Sequence, residues 1–115
     1  MEYSQAYRLA DEIKASEEYK EYHRLQASVM GDETQAALIR EYKRLQVALQ
    51  MSAMSGQSPD GEDMNRFSCL STLLFGKAEV QQYLLAEMRL QQAVADILKI
   101  ITEAAGLDLS LPGME

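Results

Sequence analysis

With 115 residues, 47% hydrophobic composition and a formal charge of −7, the chain has room for one modest core, or a smaller one completed by a partner. Its acidity excludes direct binding of a nucleic-acid backbone, which needs clustered Lys and Arg. A lone cysteine, Cys69, excludes an intrachain disulfide and any metal site built from several of its own thiolates. Met1 to Ala10 lacks the apolar run of a secretory signal, and no window approaches the roughly 18 apolar residues of a membrane span, so the expected location is cytoplasmic. The acid is unevenly placed: residues 1–50 carry seven Lys or Arg against nine Asp or Glu, and residues 51–115 carry four against nine.

Tyr3, Ala6, Ala10 and Ile13, with Leu9 alongside, recur at three and four residues. This spacing predicts a short amphipathic helix over about 4–14, too short to stand alone. Ser16 offers an N-cap oxygen, and Glu17 and Glu18 follow where carboxylates favour the positive end of the helix dipole. A second helix is expected there, over 16–30, burying Tyr19, Tyr22, Leu25 and Val29 and turning Lys20, Glu21, His23 and Arg24 to solvent. The Gly31-Asp32 pair ends it.

Asp32 with Gln35 three residues on resembles a capping box, which opens a third helix over 33–54. Leu38, Tyr42, Leu45 and Leu49 make its inner face, with Arg40, Glu41, Lys43 and Arg44 outside. Towards its end Val47, Ala48, Leu49, Met51, Ala53 and Met54 surround the helix, a pattern of burial on all sides that in so small a protein implies an oligomer contact. Ser55 to Gly61 concentrates Gly, Ser, Pro and Asp and reads as a loop. Ser58 as N-cap and Pro59 at the first helical position start a fourth helix, 59–75, with Met64, Phe67, Leu70, Ser71 and Leu74 inward. Gly76 interrupts it.

From Lys77 to Leu109 the chain is one long amphipathic stretch, helical over 77–105. Tyr83, Ala86, Leu90, Ala93, Ile97, Ile100, Ala104 and Leu107 share one face. A second row, Leu84, Val94, Leu98, Ile101 and Ala105, lies beside it, so the stripe is wider than a two-stranded coiled-coil seam. At 1.5 Å per residue the helix is about 43 Å long against a small-domain diameter of roughly 30 Å, which places part of it against another chain. Gly106 suits a left-handed cap, and residues 110–115 read as a mobile tail. No segment alternates with period two. The expected class is all-α: a five-helix chain forming a single helical domain over 1–109 and assembling as an oligomeric helical bundle.

Chemistry is sparse. His23 is the one histidine and projects with Lys20 and Arg24, away from any nucleophile. Cys69, with Phe67, Leu70 and Leu73 nearby, reads as a buried, inert thiol. There is no Glu-x-x-His pair for a dimetal bundle and no glycine-rich phosphate loop. Glu87 and Asp96 sit at the margin of the apolar stripe, where a structural ion pair or hydrogen bond at an interface is the simplest role. Met51, Met54 and Met64 flank the loop and either fill an irregular dimer core or line an adaptable protein-binding surface. No catalytic residue, cofactor or metal site is assigned.

The runs A-Y-R-L-A-D-E-I-K-A-S-E-E-Y-K-E-Y, Ala6 to Tyr22, and Y-L-L-A-E-M-R-L-Q-Q-A-V-A-D-I-L-K-I-I, Tyr83 to Ile101, resemble the YlbF/YmcA family of small helical bacterial proteins, which includes YheA-like members of unknown role. The matching positions are Ser16, Glu17 and Tyr19 in the first run, and Ala86, Glu87, Arg89, Asp96, Ile97 and Ile100 in the second. The resemblance implies a cytoplasmic, oligomeric protein. Family members with known roles regulate competence, sporulation and biofilm formation in a complex with related subunits that adjusts messenger-RNA processing by an endoribonuclease. If complexes of the family hold iron-sulfur clusters, Cys69 supplies at most one ligand.

Two functions follow as expectations. The first is a non-enzymatic adaptor that binds itself, related family subunits and an endoribonuclease complex, with no direct contact to nucleic acid or membrane. Its interface candidates are Val47, Met51, Met54, Tyr83, Glu87, Arg89, Leu90, Val94, Ile97 and Ile101. The alternative is a helical scaffold holding a small ligand or metal between chains through Glu87, Asp96 and His23.

Overall fold

The structure is a computed structural model and describes residues 1–58 and 60–107. Five helices follow in order: α1 Ser4–Lys14, α2 Glu17–Val29, α3 Glu33–Met54, α4 Gly61–Phe75 and α5 Ala78–Ala105. No strand occurs among the described residues. The fold is all-α. Two compact units are distinguished, one formed by His23–Tyr83 and the other by Met1–Tyr22 together with the segment from Leu84 onward. The tail expected at 110–115 lies outside the described residues, as does Pro59.

Local chemistry accounts for most helix ends. The Ser16 hydroxyl accepts the Tyr19 N–H at 3.2 Å and donates to the Ile13 carbonyl, so one side chain closes α1 and opens α2. Asp32 accepts the Thr34 and Gln35 N–H groups at 3.0 and 3.4 Å. The expected capping box is half made, however, because the Gln35 amide turns away to donate to the Val29 carbonyl at 2.8 Å and to accept from Lys77 Nζ at 3.2 Å. The fourth helix begins two residues later than the Ser58-Pro59 pair suggested. Asp60, in extended backbone, accepts the Glu62 N–H at 3.0 Å and takes the cap. Two candidate cap residues two positions apart, Ser58 and Asp60, compete there, and the carboxylate wins.

Gly56 and Gly106 follow α3 and α5 with φ of 75° and 72°. In both, the N–H beyond the glycine reaches back five residues, Gln57 to Ser52 and Leu107 to Thr102, each at 3.0 Å. This is the Schellman closure that a left-handed glycine allows.

The unit His23–Tyr83 holds nearly all the core. Leu25 and Val29 of α2, Ala36, Ile39, Tyr42 and Leu45 of α3, Leu74 of α4, and Val80 and Tyr83 at the start of α5 are buried. Tyr42 stacks on Phe67 at 5.0 Å between ring centroids and meets Phe75 edge-on at 6.0 Å, geometries that suit the ring quadrupole. The inner line of α3 therefore runs through Ala36 and Ile39, and the expected Leu38 and Leu49 are half-buried at its margins. Steps of three fall about 60° short of a full turn, so the buried line winds round the helix rather than following the 3-4 row.

On the outer side of this unit Arg44 grips Glu41 with two hydrogen bonds, at 2.9 and 2.7 Å. Arg66 of α4 adds an ion pair to the same carboxylate at 3.4 Å. The Arg44 hydrogen bonds lower the Glu41 pKa, opposed by a smaller desolvation effect, and both arginine charges contribute.

The other unit buries little. Leu84 and Ala86 are its buried apolar residues. The α1 stripe expected inside is mostly outside, since Leu9 and Ile13 are half-buried while Tyr3 and Tyr7 are 64% and 73% exposed. Tyr19 and Tyr22 of α2 are also only half-buried.

Two outcomes test this distribution. Leu45→Ala, at a fully buried site, should lower stability by about 2–5 kcal/mol in urea denaturation, whereas Val47→Ala on the exposed edge should change it by no more than about 0.5 kcal/mol. Glu41 has a lowered folded-state pKa, so its stabilisation is present above the ordinary glutamate range and is lost as pH falls through the folded value. Glu41→Gln should therefore reduce the drop in melting temperature between about pH 5 and about pH 3, and salt should shrink the difference between the two proteins.

Candidate functional site

Glu17, Glu18 and Glu21 of α2 and Ala86 and Arg89 of α5 line an open cleft of about 250 Å³. Glu17 and Glu21 share a helix face by their i, i+4 spacing, with Glu18 beside them. Beside Ala86 and Arg89 in sequence, Glu87 accepts a hydrogen bond from the Tyr22 hydroxyl at 3.4 Å. Both of those side chains are half-buried. Carboxylates surround one guanidinium, and no Ser, Cys or His lines the cleft. The lining is charged, and it holds no nucleophile and base in reach of one another.

The expected interface residues divide into three groups. Val47, Met51 and Met54 form an exposed edge of α3, at 54%, 64% and 70%. Arg89, Val94 and Ile101 are exposed on α5, with Glu87, Leu90 and Ile97 half-buried. Tyr83 belongs to the core instead, being 1% exposed. Lys43 Nζ lies 3.2 Å from its hydroxyl and 5.1 Å from its ring centroid. A buried tyrosine whose hydroxyl has a partner is satisfied within its own chain.

Cys69 is exposed, contrary to the buried thiol expected from its apolar neighbours. The turn of α4 that buries Leu74 and half-buries Phe67, Leu70 and Ser71 leaves Cys69 and Leu73 on its outer side, one turn apart. His23 is exposed. The Asp96 carboxylate accepts from Gln92 Nε2 at 2.8 Å one helical turn away. Among the described residues no three His, Cys, Asp or Glu side chains gather as a metal site. Sequence reasoning passed over the Lys43 to Tyr83 contact and the Arg66 to Glu41 pair, because each joins residues more than twenty positions apart.

The pattern of the family described as control of competence regulator ComK, YlbF/YmcA, matches residues 3–105. The chain belongs to the YlbF/YmcA family. Among relatives of this YlbF/YmcA protein, a UPF0342 protein of Caldicellulosiruptor saccharolyticus is 30% identical over 112 residues, 97% of this chain and 93% of the relative. A UPF0342 protein of Symbiobacterium thermophilum is 30% identical over 107 residues, 93% and 96% of the two chains. A solved protein of unknown function (DUF964) from Bacillus stearothermophilus shares the fold, with a TM-score of 0.71 at 18% identity over 90% of this chain and 91% of that one. The family description links these proteins to control of a competence regulator and indicates no catalytic family. Among the described residues no helix is long and apolar enough to cross a membrane.

The runs that carried the family likeness, around Glu17 and around Ala86 to Arg89, are the ones that meet at the cleft. Tyr22→Phe removes the hydroxyl from Glu87 and should lower thermal stability by about 0.5–1.5 kcal/mol. An unchanged melting temperature would show that this hydrogen bond contributes nothing.

Proposed function

We propose that this YlbF/YmcA protein is a cytoplasmic, non-enzymatic adaptor that self-associates and acts through protein-protein contacts. On this reading it works with related subunits in a complex that modulates RNA processing by an endoribonuclease, and through it competence, sporulation and biofilm development. The observation that carries the reading is the exposed edge of α3. Val47, Met51 and Met54 occupy successive turns at steps of four and three and remain 54–70% exposed. Clustered apolar side chains on a small protein mark a surface that another protein covers, and flexible thioethers adapt to more than one partner. Separately, on α5, Leu90, Val94, Ile97 and Ile101 form an uncharged row in which Val94 and Ile101 are exposed and Leu90 and Ile97 half-buried.

Sedimentation of the full chain at micromolar concentration tests this directly. The expected species is a dimer or larger assembly. Met51→Lys, at a 64% exposed site, should reduce it to monomer while the chain keeps its helicity by circular dichroism and a cooperative, lower melting transition. A wild-type chain that stays monomeric and melts cooperatively contradicts self-association.

A further inference from the structure

Ala86, Arg89, Ala93, Asp96, Ile100 and Glu103 follow one another along α5 at alternating steps of three and four, so they form one line on the helix surface. Its first two residues line the cleft with Glu17, Glu18 and Glu21. Further on, Ile100 is 67% exposed and lies between Asp96 and Glu103, which are exposed as well. All of these residues belong to the unit of Met1–Tyr22 and the segment from Leu84. Its described residues carry five Lys or Arg against nine Asp or Glu, while His23–Tyr83 carries six against seven.

We propose that this line is a docking track for a basic amphipathic helix of another protein. The proposal rests on the adaptor reading and names the chemistry of its partner. Ile100 supplies the apolar anchor, and Ala93 midway, half-buried, is small enough to let a second helix approach closely from its open side, while Ala86 at the head of the line is itself buried. Five carboxylates, Glu17, Glu18, Glu21, Asp96 and Glu103, flank the track against two cations, Arg89 and Lys99. That balance attracts a helix bearing Lys or Arg beside its apolar stripe and disfavours a second copy of this acidic chain, which would set carboxylate against carboxylate. From Ala86 to Glu103 the track spans about 26 Å, the length of about 17 helical residues. Arg89 at the cleft end sets polarity, since a partner helix with one carboxylate there is preferred over one with none. The neighbouring row of Leu90, Val94, Ile97 and Ile101 carries no charge and is distinct from this track.

The test uses the full chain and a labelled synthetic peptide of about 18 residues, with Leu at helical spacing and Lys on both flanks, followed by fluorescence anisotropy. A peptide of identical composition in scrambled order, without the apolar stripe, is the control. The amphipathic peptide should bind at least about tenfold more tightly than the scrambled one, and its affinity should fall as salt rises. Ile100→Ser, and separately the pair Asp96→Asn and Glu103→Gln, should each weaken binding about tenfold. Amide resonances from Ala86 to Glu103 should shift on titration. Should Ile100→Ser lose helicity by circular dichroism, the exposed charge pair carries the comparison. Equal binding of the scrambled peptide, or none of either, overturns the proposal. So does conversion of an assembly to monomer by Ile100→Ser, since a second copy then occupies the track. If the wild-type chain still sediments as an oligomer while the peptide fails, the docking track falls and the adaptor reading stands.

Discussion

Burial along α5 stops at Ala86, in the third turn of a helix that runs on to Ala105. Beyond that point Leu90, Ala93, Ile97 and Leu98 are half covered, and Val94, Ile100 and Ile101 lie open. Neither Gly nor Pro interrupts the helix, so backbone hydrogen bonding propagates to the Gly106 cap. The result is a continuous helical apolar row that the chain covers only in part. Each square ångström of apolar surface a partner removes from water there contributes about 25 cal/mol. The end of α3 repeats the arrangement on a smaller scale.

Charge is distributed to the same effect. Within His23–Tyr83 the cations are nearly matched, and Glu41 draws in both Arg44 and Arg66. In the unit containing α1, the start of α2 and the distal part of α5, carboxylates outnumber cations, and three of them border the cleft with Arg89. Exposed ion pairs stabilise little, so this surplus bears on recognition more than on folding. The described surface offers carboxylates, thioethers and branched aliphatic side chains, and the one histidine lies on the surface and apart from the cleft.

Features set by neighbouring residues were legible before any tertiary information. Ser16, Asp32 and Gly106 act where cap chemistry places them, because a cap depends on residues two to five positions away. The Asp60 cap was misplaced because Ser58 offers a competing oxygen two residues earlier, and the choice between them turns on backbone geometry. Positions on helices that are apolar all round were harder. Ile39 rather than Leu38 enters the core, Cys69 faces outward, and Tyr83 faces inward, since a helix with several apolar rows does not specify which row meets its neighbour. The cleft was half legible. Its residues fall within the two runs that resembled the family, but nothing local shows that those runs meet.

The sequence by itself determined the helices, their caps, the acidity, the excess of apolar surface and the family, all of which follow from periodicity, side-chain chemistry and residue order. Tertiary structure alone decided which of several apolar rows on each helix is buried, that α1 contributes half-buried rather than buried residues, and that Glu17, Glu18 and Glu21 border Arg89. The physical reason is range: hydrogen bonding and helix capping act within one or two turns, whereas burial is a competition among faces that is settled only when distant segments pack.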